Sequence, residues 1–365
     1  MNGDMKRVAL YIHLPFCARK CAYCDFVSFP GQTDRIPAYL DRLAREMRSA
    51  VGWYGPLAAD TVFLGGGTPS LLSGEQMKRL MGDVGRFFEI APDAEITVEA
   101  NPGTVDAEKL AVFREAGINR LSLGVQSFDD GLLRRLGRIH TAREAEDAAR
   151  MAAEAGFSNL SLDLMYALPG QNMSQWTDTL ERALDLPVKH ISCYSLILED
   201  GTPMKALIEA NPELLPDEEI AVGMQHEAAR RLAERGFSRY EISNYALPGF
   251  ESRHNLVYWR RGDYLGLGCA AHSLMNGIRF ANTPSLEGYL AGEGAGEADV
   301  LSARDVYEET VMLGLRTREG VEAALLPPDR LARLCGAGLM AVDGGRARVT
   351  EAGADVLNAV ILELV

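Results

Sequence analysis

Three of the six cysteines fall within the short run Cys17-Ala18-Arg19-Lys20-Cys21-Ala22-Tyr23-Cys24, whereas Cys193, Cys269 and Cys335 are scattered. Cysteine thiolates are the usual protein ligands of zinc and of iron–sulfur clusters, so the spacing decides which chemistry this segment suits. Structural zinc sites close with four ligands, commonly as two separated pairs, and no second Cys/His pair of that kind follows downstream. Three ligands on one short loop would leave one iron of a four-iron cluster without a protein ligand. Chemistry can happen at that open iron. The plain alternative is three cysteines without a metal, or half of a zinc knuckle.

Two further groups of residues invite a ligand. Gly65-Gly66-Gly67-Thr68-Pro69 offers a backbone that a ligand can approach closely, with unhindered amides and carbonyls. Glu99, Gln126 and Asp163 are polar groups just after apolar runs. Each could equally cap a helix or face water, so their meaning depends on whether the fold brings them together.

The surrounding pattern supplies elements to do that. Val8 to His13 reads as a short buried strand feeding the cysteine loop, followed by a helix from Ile36 to Val51. Strands at Thr61–Leu64, Glu95–Val98, Arg120–Leu123, Leu160–Leu164 and His190–Leu196 alternate with helices, and Ser73 with Gln76 forms a capping-box pattern at one of them. Glu115-Ala116-Gly117-Ile118, Glu154-Ala155-Gly156-Phe157 and Glu234-Arg235-Gly236-Phe237 repeat the signature of a helix closed by a left-handed glycine. Strand–helix units on short connections imply parallel strands with right-handed crossovers. Six such units are too few for a full eight-stranded barrel, so the expected fold is α/β, a partial (β/α)6 barrel, with a doubly wound sheet as its rival. In either fold ligands gather at the carboxyl ends of the strands, where the cysteine loop, the glycine run, Glu99, Gln126 and Asp163 are all expected.

The expected organisation is a barrel with its downstream region over 1–290, a flexible linker over 291–299, and a small α+β domain over 300–365 that reads like a winged helix. The 365 residues carry a formal charge of −14, which argues against a broad phosphate-binding surface and hence against nucleic acid as a partner. The amino-terminal residues lead straight into an apolar strand, and no apolar run reaches the roughly 18 residues of a membrane span. A cytoplasmic location is expected, where clustered cysteines more often mean metal or catalysis than disulfides. Peripheral membrane association stays open.

Cys17-x3-Cys21-x2-Cys24, with the aromatic Tyr23 before the third cysteine, resembles the signature of the radical S-adenosylmethionine (SAM) superfamily. The resemblance implies a [4Fe-4S] cluster on these three residues, SAM chelated at the open iron, and a reductant that supplies the electron. Gly66, Gly67 and Thr68 match the segment that binds the SAM amino group, with glycine and threonine where many relatives have an acid. Glu99-Ala100-Asn101-Pro102, Gly124-Val125-Gln126 and Asp163-Leu164-Met165-Tyr166-Ala167-Leu168-Pro169 resemble the coproporphyrinogen III oxidase-like branch. That likeness implies SAM contacts from Glu99, Gln126 and Asp163, Arg138 for a carboxylate, and Tyr11 and Tyr23 lining the same pocket.

Within the branch, Phe26 stands where the oxidases carry a fourth cysteine, and only ten residues precede Tyr11. His254-Asn255-Leu256-Val257-Tyr258-Trp259 matches the His-Asn-x-x-Tyr-Trp motif of a family of heme chaperones. The resemblance therefore implies heme as a ligand, heme-accepting proteins as partners, and no coproporphyrinogen oxidase activity, with a porphyrinogen-processing radical enzyme as the alternative. Neutral imidazole is a good axial ligand for heme iron, so His254 is the candidate, with Tyr258 and Trp259 as aromatic surface. Its plainer role is a loop hydrogen bond. His272 is a weaker candidate, His13 is expected behind the cluster, and His140, His190 and His226 read as structural.

Overall fold

In the computed structural model, which describes residues 5–365, β1 (Lys6–Leu14) runs into the cysteine loop, where β2 (Phe16–Cys17) pairs with β3 (Phe29–Pro30). Five more long strands follow: β4 (Leu57–Gly66), β5 (Glu89–Ala100), β6 (Arg120–Gln126), β7 (Asn159–Tyr166) and β8 (His190–Ser195). They lie in the order β1-β4-β5-β6-β7-β8, each parallel to the next. The helices between them are α1 (Ile36–Tyr54), α2 (Gly74–Phe87), α3 (Ala107–Glu115), α4 (Asp130–Leu136), α5 (Ala142–Glu154) and α6 (Met173–Leu184). Strand order that follows chain order keeps every right-handed crossover on one side, and a twisted sheet covered on one side curls into a partial barrel. A doubly wound sheet needs its order to reverse, and these six strands show no reversal.

The strands sort their side chains by the two-residue period. Leu10, Ile12 and Leu14 of β1, with Val62, Leu64, Leu121, Leu123, Leu160 and Leu162, are buried in one core against the helices. The alternate residues, including Thr97, Glu99, Ser122 and Asp163, face the barrel interior, so the polar groups come in register across neighbouring strands.

Local signals hold where they were read. Ser73 Oγ accepts from the Gln76 N–H, and the Gln76 side chain reciprocates. Gly117, Gly156 and Gly236 take φ of +92°, +90° and +85°. In each case the following residue bonds back to the helix: Ile118 to Phe113, Phe157 to Ala152 and Phe237 to Leu232.

The sheet extends beyond the six strands. After α7 (Pro203–Ala210) and α8 (Glu218–Glu234), β9 (Ser238–Arg239) pairs antiparallel with β10 (Asn244–Ala246), which adds antiparallel to β8. Beyond α9 (Arg253–Trp259), β11 (Tyr264–Leu267) joins the other edge parallel to β1. It carries β12 (His272–Met275) and β13 (Ile278–Ala281), and after α10 (Leu286–Ala291) comes β14 (Asp299–Val300). Strands of two to four residues leave no periodicity in the sequence, so its pattern reveals only the long ones. Residues 295 and 296 are tied to this edge, with Gly296 N–H donating to the Ala281 carbonyl at 2.8 Å.

The carboxy-terminal region has its own core around Val311, Leu315, Leu334, Met340 and Val360. It comprises α11 (Ala303–Gly314), β15 (Val321–Glu322), α12 (Pro328–Gly336), β16 (Met340–Asp343), β17 (Arg346–Val349), α13 (Glu351–Asp355) and α14 (Leu357–Leu364). Gly344 and Gly345, both at positive φ, turn β16 into β17 as the wing of a winged-helix-like unit. No helix among the described residues is long and apolar enough to cross a membrane.

Candidate functional site

A cavity of about 400 Å³ opens at the carboxyl ends of the parallel strands. Cys17, Cys21 and Cys24 line it together with Tyr23. Gly66, Gly67 and Thr68 form a second side, and Glu99, Gln126, Arg138 and Asp163 the floor and far wall. All of these were singled out in the sequence, and they come from β2 and its loop, β4, β5, β6, the turn after α4, and β7.

The glycine run is positioned by the backbone. The Gly67 N–H donates to the Leu14 carbonyl at 3.0 Å and the Thr68 N–H to the Phe16 carbonyl at 2.7 Å, so the end of β4 is stitched to the start of the cysteine loop. A Cβ on Gly67 would lie 2.7 Å from both of those carbonyl oxygens, and one on Gly66, at φ +102°, would meet the His13 ring at 2.3 Å. Only glycine fits either place. Thr68 Oγ1 donates to Cys17 Sγ at 3.5 Å.

On β6 the register slips between Gly124 and Gln126, and Gln126 takes φ +69°. This bulge delivers the Gln126 side chain to the cavity. His140 secures it, with Nε2 3.1 Å from the Val125 carbonyl oxygen and Nδ1 3.2 Å from Asn101 Oδ1. Arg138 donates to the Gly124 carbonyl and, at 3.4 Å, to Cys21 Sγ, while its buried Nε has no partner. A guanidinium with a spare donor at the cavity wall suits a carboxylate ligand.

Two carboxyls share the floor. Burial, and then the charge of Asp163, push Glu99 up to about 7, against the Gly66 N–H that donates to it at 3.2 Å. Asp163 is also raised, chiefly by burial, although Ser192 Oγ donates to it at 2.8 Å and Ser122 Oγ at 3.2 Å. Because the folded state favours protonated Glu99, that stabilising contribution is complete below about 4.5 and is lost as pH rises through about 7. Glu99→Gln is therefore expected to stabilise the metal-free protein by up to about 3 kcal/mol at pH 8 and to change little at pH 4. Thermal unfolding at the two pH values checks this, and equal shifts at both would refute the assignment.

Two expected residues lie elsewhere. Tyr11 is outside the cavity lining: its ring stacks on Phe63 at 6.2 Å and its hydroxyl lies 3.0 Å from His13 Nδ1. Residues on one strand share a face but differ in depth, and Tyr11 is three residues short of the strand end. His254 is 1% exposed. Its Nδ1 is 2.8 Å from Thr61 Oγ1, its Nε2 is 2.8 Å from the Tyr258 hydroxyl, and its ring stacks on Phe63 at 5.0 Å. The Glu95 carboxylate accepts the Arg253 and His254 N–H groups, which seats α9 against the inner face of the barrel below the cavity. Burial, with the charge of Arg120, lowers His254 to about 3, so the imidazole is neutral. His13 braces the cysteine loop, with Nε2 2.9 Å from the Val27 carbonyl oxygen.

Other contributors were not singled out in the sequence. Ser122 and Ser192 hold Asp163, and Asn101 lines the cavity. Arg120, 2% exposed, has a buried Nε without a partner, and its charge opposes the rise of both carboxyls. Their signal was available in the strand alternation, since Arg120, Ser122 and Gly124 share one face of β6.

The thiols fit an iron–sulfur cluster. All six cysteines are free of disulfides, and the three in the loop line one cavity. Among the described residues no three Cys, His, Asp or Glu groups converge as ligands of a single ion do. A cube with iron at separate corners asks for no such convergence. Burial pushes the Cys24 thiol up to about 11, so a cation is what would hold it as thiolate.

Residues 11–183 match the radical SAM superfamily, and residues 301–356 match the HemN C-terminal domain. The chain is 40% identical over 317 residues to the heme chaperone HemW of Bacillus subtilis (strain 168), covering 85% of this chain and 84% of that protein. To the heme chaperone HemW of Mycobacterium tuberculosis (strain ATCC 25618 / H37Rv) it is 35% identical over 366 residues, covering 97% of this chain and 94% of that one. Among solved structures, the coproporphyrinogen III oxidase HemN from Escherichia coli has a TM-score of 0.86, covering 98% of this chain and 90% of that one. At 24% identity that is a likeness of fold. The chain belongs to the radical SAM superfamily and, within it, to the HemW family.

Proposed function

We propose that the chain binds heme and passes it to acceptor proteins in the cytoplasm, carrying a [4Fe-4S] cluster on Cys17, Cys21 and Cys24 with SAM at the open iron. The observation that carries this reading is likeness to heme chaperones along both the barrel and the carboxy-terminal domain, with the His-Asn-x-x-Tyr-Trp motif intact at 254–259. When bound and reduced by an external donor, the cluster would supply the electron that SAM cleavage needs. The chain's own residues orient SAM: the glycine run and Glu99 receive its amino group, Arg138 its carboxylate, and Gln126 and Asp163 its remaining polar groups.

His254 is the proposed axial ligand. A neutral imidazole is the form that binds iron, and an imidazole released to solvent is still mostly neutral above about pH 7. Both ring nitrogens are already within hydrogen-bond distance of a hydroxyl, so ligation requires α9 to leave the barrel interior and exchange Tyr258 for iron.

The test is heme titration of the anaerobically reconstituted protein, followed by absorption. Wild type is expected to bind saturably, and His254→Ala to weaken binding at least tenfold. Tyr258→Phe removes the hydroxyl that competes for Nε2 and is expected to speed binding. A wild type that binds no heme, or that converts coproporphyrinogen III with SAM and reductant, would overturn the reading.

A further inference from the structure

One buried charge in the barrel has no contact partner. Arg120, at the start of β6, is 2% exposed, and its Nε makes no hydrogen bond. It stands in register with Thr97 on one side and Asn159 on the other, neither of which carries a charge. The interior carboxyls are bonded elsewhere: Glu95 accepts the Arg253 and His254 N–H groups, Glu99 the Gly66 N–H, and Asp163 the Ser122 and Ser192 hydroxyls. A buried cation without compensation is costly, so it persists where charges a few ångströms further off offset it.

Register shows which charges those are. Thr97 is level with Arg120 and Glu99 with Ser122, so Arg120 enters the barrel one strand step, about 6–7 Å, before Glu99. Ser122 and Gly124, further along the same face of β6, line the cavity and Arg120 does not, which puts it beneath the floor. Among the charges that hold Asp163 down against burial, Arg120 comes ahead of Arg138, and it also opposes the rise of Glu99. The other groups facing the two carboxyls are neutral near pH 7, because burial raises Tyr11 of β1, Tyr23 of the cysteine loop, Cys193 and Tyr194 of β8, and Tyr258 of α9. His190 and His254, which face Arg120, are lowered by burial and then by its charge. Among the described residues the cations at the floor are then Arg120 and Arg138, and Arg138 already donates to the Gly124 carbonyl and to Cys21 Sγ.

We propose that Arg120 is a positioning residue for SAM, a cation beneath the cavity floor that makes Glu99 and Asp163 present carboxylates rather than carboxylic acids to the ligand. SAM brings a sulfonium charge and amino N–H donors, and a carboxylate accepts from such donors more strongly than a neutral carboxyl does. Two carboxyls that share a site resist ionising together, and a third charge of opposite sign relieves that conflict. Arg120 does so from outside the cavity lining, so it takes up no space that SAM needs. A unit charge one strand step away, at an effective dielectric of about 20, moves a carboxyl by roughly one to two pH units. The proposal rests on the reading of Glu99 and Asp163 as SAM contacts and adds the pH range in which they work.

The test is SAM titration of the anaerobically reconstituted protein from pH 6 to 9. Wild-type affinity is expected to rise through a midpoint of about 7 as Glu99 ionises. Arg120→Met keeps the length of the side chain without its charge. It should move the midpoint up by about one unit or more, weakening SAM at least about fivefold at pH 7 and less than about twofold at pH 9. Arg120→Lys should restore the wild-type midpoint, since the role asks for a charge and not for a forked donor. Weakening by one factor at every pH would mark a merely structural arginine and overturn the proposal. So would an unshifted midpoint in Arg120→Met, a lysine variant that titrates like the methionine one, or, whatever the variants do, wild-type affinity that is flat across the range. In each of these cases SAM binding itself stands. A wild type that binds no SAM at any pH overturns the SAM reading and the proposal together.

Discussion

Cys24→Ala is expected to abolish assembly of the four-iron cluster and SAM binding with it. In the proposed assignment each loop cysteine would serve one iron corner and the fourth would be left for SAM, so the set contains no spare ligand. The remaining thiols cannot substitute. Cys193 and Cys269 are buried in the barrel core, and Cys335 belongs to the carboxy-terminal domain. Nor is His13 free to replace one, since it is committed to the Tyr11 hydroxyl and the Val27 carbonyl. The barrel itself should persist, because its core against the helices does not include Cys24. Iron and sulfide content with visible absorption after anaerobic reconstitution measures the loss, and circular dichroism confirms the fold. A variant that keeps four irons and binds SAM like wild type would sink the ligand assignment.

Gly67→Ala should have an effect of similar size on the cluster by another route. Its Cβ would meet the Leu14 and Phe16 carbonyl oxygens at 2.7 Å and the Phe16 nitrogen at 2.8 Å, all backbone atoms. Backbone cannot rotate aside as a side-chain tip can, so the strand end and the cysteine loop must separate. Overpacking of this kind costs about 1–3 kcal/mol. The larger consequence is that the Gly67 and Thr68 amides lose the carbonyls that place Cys17 beside Thr68. Gly85→Ala is the control: it sits in α2 with nothing within 4 Å of a Cβ, and is expected to stabilise by roughly 0.5–1 kcal/mol. Cluster occupancy and thermal unfolding of both variants decide the matter. Equal occupancy in the two would show that the close approach is not what positions the loop.

The amino-acid sequence by itself determined the local structure and, through it, the edge on which the cavity opens. Strand period, the Ser73 capping box and the glycines at 117, 156 and 236 are nearest-neighbour effects, legible because the backbone answers to residues within one turn. Once those units alternate, parallel pairing and right-handed crossovers bring their strand ends together, and Cys17, Gly67, Glu99, Gln126 and Asp163 meet without further instruction.

Tertiary structure decided depth, partnership and closure. Whether Tyr11 reaches the cavity depends on the height of β1 against β4, which no local pattern encodes. That β11 pairs with β1 across more than 250 positions is set by packing, as four residues carry too little pattern to choose a partner. His254 is the sharpest instance. Its motif is plain in the chain, yet only the fold puts Thr61, Phe63, Glu95 and Tyr258 around it and seals its imidazole from water.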